Sequence, residues 1–235
     1  AEVNLTPLPF SSLGNVLPGL IAQGCDSLSL TTRFCRQHGI EPFWSCRMND
    51  VHDAWEPKVW TRLKRERPDL RLWRDGDYGR PGDGRVEPSM HFTSMDYAKD
   101  EVRDVVFGTI ADVLERYDVD GVELDFLRNP MYFRPNMEGR PARQEHLDTM
   151  TKLLGQVRDK ADEVGKKRGA PVLVSARVPN LVRCCTYIGL DIERWMNDRL
   201  LDFVIPSIEF SPFTGDVREM AALAHRHGMP AYPSI

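Results

Sequence analysis

The sequence lacks the marks of several large functional classes. No apolar run reaches the roughly 18 residues that a membrane-spanning helix needs. The first ten residues, AEVNLTPLPF, have neither the basic start nor the apolar centre of a secretory signal, so no targeting segment is read from them and the compartment stays open. Positive charge is not in surplus: 31 Lys and Arg stand against 35 Asp and Glu, a net charge of −4, and the basic residues are scattered. Nucleic-acid binding, which needs a basic patch, is therefore not expected. The five cysteines (Cys25, Cys35, Cys46, Cys184 and Cys185) lack zinc-ligand spacing, and neighbours such as Cys184 and Cys185 rarely bridge each other, so all are expected as small buried or loop residues. GxGxxG and GxxxxGK turns are missing after every predicted strand, which weighs against a nucleotide-binding open sheet. No cofactor is called for.

What is present is enough for one substantial core. With 41% hydrophobic and 28% charged residues over 235 positions, the composition is that of a water-soluble globular domain and not of a disordered chain. Asp26 is placed to cap a helix running to about His38, with Gly39 ending it. The strand EPFWSCRMND follows, and then a helical stretch over 57–67. The Gly- and Pro-rich stretch 71–92 is predicted to be a long loop, a kind of segment that is often functional. Apolar residues recur at helical spacing from Tyr97 to Tyr117 and again over 143–166, and shorter helices are predicted over 188–200 and about 216–227. Between them lie YDVDGVELDF, PVLVSARVP, LDFVIPSIEF and PAYPSI, all read as strands. Helix then strand, five times over, implies parallel strands joined by crossover helices. The fold expected is α/β, a (β/α)8 TIM-type barrel that is incomplete in this chain. About five helix–strand units, forming strands three to seven, would make residues 1–235 one partial domain.

The stretch YDVDGVELDF, residues 117–126, sets acids into an apolar strand. Side chains alternate along a strand, so Glu123 and Asp125 share one face while Val122, Leu124 and Phe126 take the other. The same alternation puts Ser45, Arg47 and Asn49 on one face of the first strand, Ser175 and Arg177 on one face of the third, Ser207 and Glu209 on the fourth, and Tyr232 and Ser234 on the last. Carboxylates held close together in a poorly solvated place are costly unless paired, protonated or used. In a barrel these polar faces would converge at the C-terminal ends of the strands, where such folds keep their active sites.

YDVDGVELDF, preceded by EVRDVVFGTIADVLERY and followed later by LLDFVIPSIEF, resembles the glycosyl-hydrolase-like family 10 domains. These are (β/α)8 proteins in which a helix leads into a DG-containing strand ending in an acid. SCRMNDVHD is similar to the end of the preceding strand in a related group labelled family 10 glycosylhydrolases. The element order matches over about 26–235, but only DGVELD matches tightly. The resemblance implies hydrolysis of carbohydrates. It departs from better-understood glycosidase motifs: a family 18 chitinase would carry an acid at Leu127, and a family 13 amylase would carry an arginine at Glu123 and an acid at Arg177. PAYPSI also lacks the glutamate that family 10 xylanases use on their seventh strand.

Glycosidases work with two carboxyl groups flanking the scissile bond, about 5–5.5 Å apart for retention and roughly 6.5–9.5 Å for inversion. Asp125 is the candidate nucleophile or base and Glu209 the candidate general acid. Glu123, two residues deeper, is expected to anchor an arginine or to tune Asp125. Arg47, Asn49, Asp50, His52, Arg177, Ser207 and Tyr232 are the candidate binders of sugar hydroxyls, and Trp73, Tyr78, Tyr132 and Phe133 are aromatic residues that could stack on sugar rings. Two rivals stand beside this reading. One is a metal-dependent hydrolase using Asp50, His52, Asp53, His91, Glu123 and Asp125, although HxH and HExxH spacings are missing. The other is a glycan-binding barrel without turnover. The partner expected is a carbohydrate, and oligomeric state is not legible.

Overall fold

The computed structural model describes residues 16–55, 59–73, 93–208 and 215–234. In chain order these hold α1 (Leu17–Ala22), α2 (Ser27–Gln37), β1 (Phe43–Arg47), α3 (Arg62–Glu66), α4 (Asp100–Arg116), β2 (Gly121–Asp125), α5 (Arg134–Met137), α6 (Gln144–Arg168), β3 (Leu173–Pro179), α7 (Val182–Tyr187), α8 (Ile192–Asn197), β4 (Phe203–Ser207) and α9 (Arg218–Arg226). Of the helix predicted over 57–67, the described residues hold α3, and the predicted long loop lies outside the described residues from position 74 to 92.

The four strands are all parallel and follow one another in sequence order, β1-β2-β3-β4. Right-handed crossovers in an unreversed order place every connecting helix on the same side of the sheet, which is the winding of a barrel; a doubly wound sheet reverses its order. The fold is therefore an incomplete (β/α) barrel. Its helix-covered face is dry: Val122, Leu124, Val174, Ala176, Val178 and Val204 have no exposed surface. The opposite face is partly open, and it curves. Phe43 on β1 and Phe203 on β4 lie three strand spacings apart, about 14 Å in a flat sheet. Their ring centroids are only 5.7 Å apart.

The fifth predicted strand is reduced to one parallel bridge between Val204 and Ala231. The Val204 and Tyr232 amides still reach Pro230 and Val204 carbonyls at 3.1 and 2.9 Å. The Ser234 amide likewise reaches the Pro206 carbonyl at 3.1 Å, but Pro206 has no N–H to return to this segment, so the ladder stays incomplete.

Local chemistry fixes the helices against this sheet. Asp26 caps α2 by accepting the Ser29 amide at 2.8 Å while the Ser29 hydroxyl accepts the Asp26 amide at 3.0 Å. α6 stops at Gly169, whose φ of 71° is left-handed, and Lys166, Lys167 and Arg168 crowd its last turn, where the helix dipole favours cations. Trp195 of α8 is fully buried and donates its indole N–H to Thr151 of α6 at 2.8 Å. Two acids of the YDVDGVELDF stretch are structural. Asp118 and Asp120 grip the Arg36 guanidinium at 2.6 and 2.8 Å, tying α2 to the turn that leads into β2.

Candidate functional site

Strand register builds the open face row by row. Ser45, Glu123, Ser175 and Phe203 stand side by side on neighbouring strands, and one step nearer the C-terminal ends come Arg47, Asp125, Arg177 and Ile205. Ser207 follows, beside Pro179. Parallel strands read in register thus gather Arg47, Glu123, Asp125, Arg177 and Ser207 onto one surface, as alternation predicts.

The two carboxylates of β2 differ in their surroundings. Asp125 is buried, with 4% of its surface exposed. Its Oδ1 accepts the backbone amides of Leu127 and Arg128 at 3.1 and 3.2 Å, and its Oδ2 accepts Arg177 Nη1 at 3.3 Å. The amides come from the turn that immediately follows the strand, so the carboxylate is oriented by its own chain. Glu123 is half-buried and accepts the Ser45 hydroxyl at 2.6 Å. The arginine expected beside Glu123 goes instead to Asp125, because Arg177 sits in register with Asp125. Arg177 also reaches Ser207 Oγ, at 3.5 Å.

At the rim, a chain of polar contacts links the ends of β1 and β2. Arg47 donates to Asp50 Oδ2 at 2.9 Å; Asp50 Oδ1 accepts the His52 amide at 2.8 Å and lies 2.6 Å from His52 Nδ1. His52 Nε2 lies 3.0 Å from Arg128 Nη2. Arginine can only donate, so Nε2 is the acceptor and the ring proton sits on Nδ1, facing Asp50. Burial would raise the Asp50 carboxyl, but the His52 amide, the Arg47 guanidinium and the His52 ring outweigh it and pull it down to about 2. Arg128 is the residue that sequence reasoning missed. Its signal was its place, three residues after Asp125 in the first turn beyond the strand.

Other predicted residues are placed elsewhere. Asn49 does not face the bowl: it is 3% exposed, its Nδ2 donates to the Met95 and Met131 carbonyls at 3.1 and 2.7 Å, and its Oδ1 accepts the Met95 amide at 3.0 Å. Its carboxamide is consumed in pinning two loops together. Tyr132 and Phe133 are fully buried in the core, where Tyr132 donates to the Phe126 carbonyl, so neither is a sugar platform in this structure. Tyr232 is 59% exposed and packs edge-on against Phe203 at 5.3 Å. Trp73 is half-buried. Glu209, Tyr78 and His91 lie outside the described residues. Asp53 is taken by Lys64 at 2.6 Å, and among the described residues no three His, Cys, Asp or Glu side chains converge as metal ligands would. All five cysteines are free thiols.

No family model matches the sequence, so the family 10-like character of DGVELD stands as a resemblance only, and no curated protein matches it either. Solved structures similar to it are glycoside hydrolases. Chitinase ChiA74 from Bacillus thuringiensis is 13% identical, with a TM-score of 0.49 over 90% of this chain and 31% of that one. A family GH18 chitinase from Chromobacterium violaceum is 18% identical, with a TM-score of 0.45 over 78% of this chain and 24% of that one. A GH36 alpha-galactosidase, AgaA, from Geobacillus stearothermophilus is 13% identical, with a TM-score of 0.40 over 88% and 30%. The chain spans less than a third of the length of each of these. Likenesses this distant assign neither a reaction nor a residue role.

Proposed function

We propose that the chain forms the catalytic part of a hydrolase acting on O-glycosidic bonds through two carboxyl groups. The observation that carries this reading is the placing of Glu123 and Asp125 on the partly open face, toward the C-terminal ends of parallel strands, among Ser45, Arg47, Arg177 and Ser207. A purely structural sheet gains nothing from polar residues in register on its concave side, since burying them costs free energy unless each is partnered. Asp125, held by three donors, is oriented for work as nucleophile or base. Glu209, two positions after Ser207 in the sequence and outside the described residues, is the general acid of this proposal. Glu123 lies one step deeper on the same face and is held by the Ser45 hydroxyl.

The test is hydrolysis of a panel of aryl glycosides and polysaccharides by wild type and by Asp125→Asn, Glu209→Gln and Glu123→Gln. Loss of at least about 10²-fold in turnover for the first two, with ligand binding kept, is the expected outcome, in the range that general acid–base catalysis supplies. Glycan binding without turnover by wild type would make the domain a binding barrel. Turnover that survives both substitutions would remove the two-carboxylate mechanism.

A further inference from the structure

We infer that the bowl is built for an acidic saccharide, one whose sugar carries a carboxylate. This rests on the glycan-processing reading and adds the substrate class to it. The argument lies in how the row Arg47, Asp125, Arg177 uses its charges. Two guanidinium groups flank one carboxylate on adjacent strands, their Cα atoms about 10 Å apart at ordinary strand spacing. A self-contained ion-pair network would let Asp125 bridge both arginines through short bonds. Instead Asp125 Oδ1 is occupied by backbone amides, and only Arg177 touches Oδ2, at 3.3 Å. Charge-assisted N–H···O bonds are ordinarily about 2.7–2.9 Å. The second nitrogen of Arg177 has only Ser207 Oγ at 3.5 Å, the far limit of a hydrogen bond.

Arg47 is turned away from Asp125 and gives Asp50 a single nitrogen, while half of its side chain is exposed. Among the described residues, each guanidinium therefore keeps N–H donors without a carboxylate, on the concave face and at the same level. A guanidinium presents paired parallel donors that match a planar carboxylate, which is a poor use of the group if only neutral hydroxyls are to be read. Asn49, two residues beyond Arg47, is spent on backbone carbonyls. The acids of the bowl do not cancel the effect: Asp125 is screened by its three donors, and Glu123 is one step deeper, bonded to Ser45.

The experiment is calorimetric titration of the full chain, at low salt, with galacturonan, alginate, glucuronoxylan and hyaluronan fragments. Each is paired with the same fragment after its carboxyl groups have been reduced to alcohols. At least one acidic fragment is expected to bind about tenfold or more tighter than its reduced counterpart, a difference well resolved by titration. Arg47→Gln is expected to abolish that preference while circular dichroism stays that of wild type and thermal unfolding stays cooperative, its midpoint lowered only by loss of the exposed Arg47–Asp50 contact. Arg177→Gln should do the same where it folds; Arg47, being half exposed, keeps the test independent of that. Equal binding of a fragment and its reduced form, a preference that survives in Arg47→Gln, or full displacement by sodium sulfate would each overturn the inference and leave the glycan reading in place. If no fragment binds, acidic or neutral, both fall together.

Discussion

Asp50 is a residue whose charge state is written in its contacts. Burial opposes its ionisation, yet the His52 amide, Arg47 and the His52 ring bring it down to about 2 from an ordinary 3.8. A carboxyl with a depressed folded pKa adds stability that is complete above its unfolded value and disappears as pH falls through its folded value. The stability difference between wild type and Asp50→Asn is therefore expected to be constant above pH 3.8 and to shrink as pH falls toward about 2. Urea unfolding of the two proteins across that window checks it. The comparison must be between variants, because Asp26, Asp69, Asp118 and Asp216 are also lowered and titrate in the same acid range. A difference that is flat through the window would mean that the contacts linking Arg47, Asp50 and His52 do not persist in solution.

Gly121 shows why the element around it needs its exact composition. It opens β2 on the concave face, and a methyl group there would lie 2.3 Å from Phe43 Cε1 and 2.8 Å from the Leu173 carbonyl oxygen. The missing side chain is what lets the Phe43 ring lie across β2. Gly121→Ala is expected to lower stability by about 1–3 kcal/mol, the usual cost of overpacking. Gly108, in the middle of α4, has nothing within 4 Å of such a methyl. Gly108→Ala is expected to be neutral or stabilising by up to about 1 kcal/mol, since alanine is the better helix former. Denaturant midpoints of the two variants should move in opposite directions, and a stable Gly121→Ala would show that Phe43 can repack.

Legibility follows the same elements. Alternation in FWSCR, GVELD and LVSARVP told which residues share a face, because strand period is a local property, and the helices between them told that the strands are parallel. The use of each residue within its face was less legible. Asn49 shares the parity of Ser45 and Arg47, but its side chain is claimed by Met131, 82 residues away, and no local pattern announces a partner at that distance. Tyr132 and Phe133 read as loop aromatics, yet they close the core, in ring contact with Tyr97, Phe126 and His146. The short helices α5 and α7, four and six residues long, are too brief to show a helical period.

At the scale of the whole molecule, one hydrophobic core runs from α4 through the sheet to α6, α8 and α9, with Cys185 inside it and Cys46 of β1 packed against it. Burial pushes the Cys46 thiol up to about 12, with the Asp125 charge adding to it, and burial raises Cys185 as well. Thiol reagents attack the thiolate, so half-buried Cys46 should react slowly in the folded protein and buried Cys185 only when the core opens. Cys25, Cys35 and Cys184 are partly exposed, as Cys46 is, so the raised thiol, not exposure, sets Cys46 apart from them. Alkylation followed by mass spectrometry is expected to label those three in the native protein, with Cys46 and Cys185 at least about 10²-fold slower, as their suppressed thiolate fractions require. If the core unfolds as a unit, Cys185 should become reactive at a rate set by global opening. β1 is an edge of the sheet among the described residues, paired only with β2. Labelling of Cys46 as fast as that of Cys25, Cys35 and Cys184 would mean that β1 opens while the rest stays folded. Since β1 carries Ser45 and Arg47, such local opening would also loosen the candidate site, and a saccharide bound there should slow Cys46 labelling in particular.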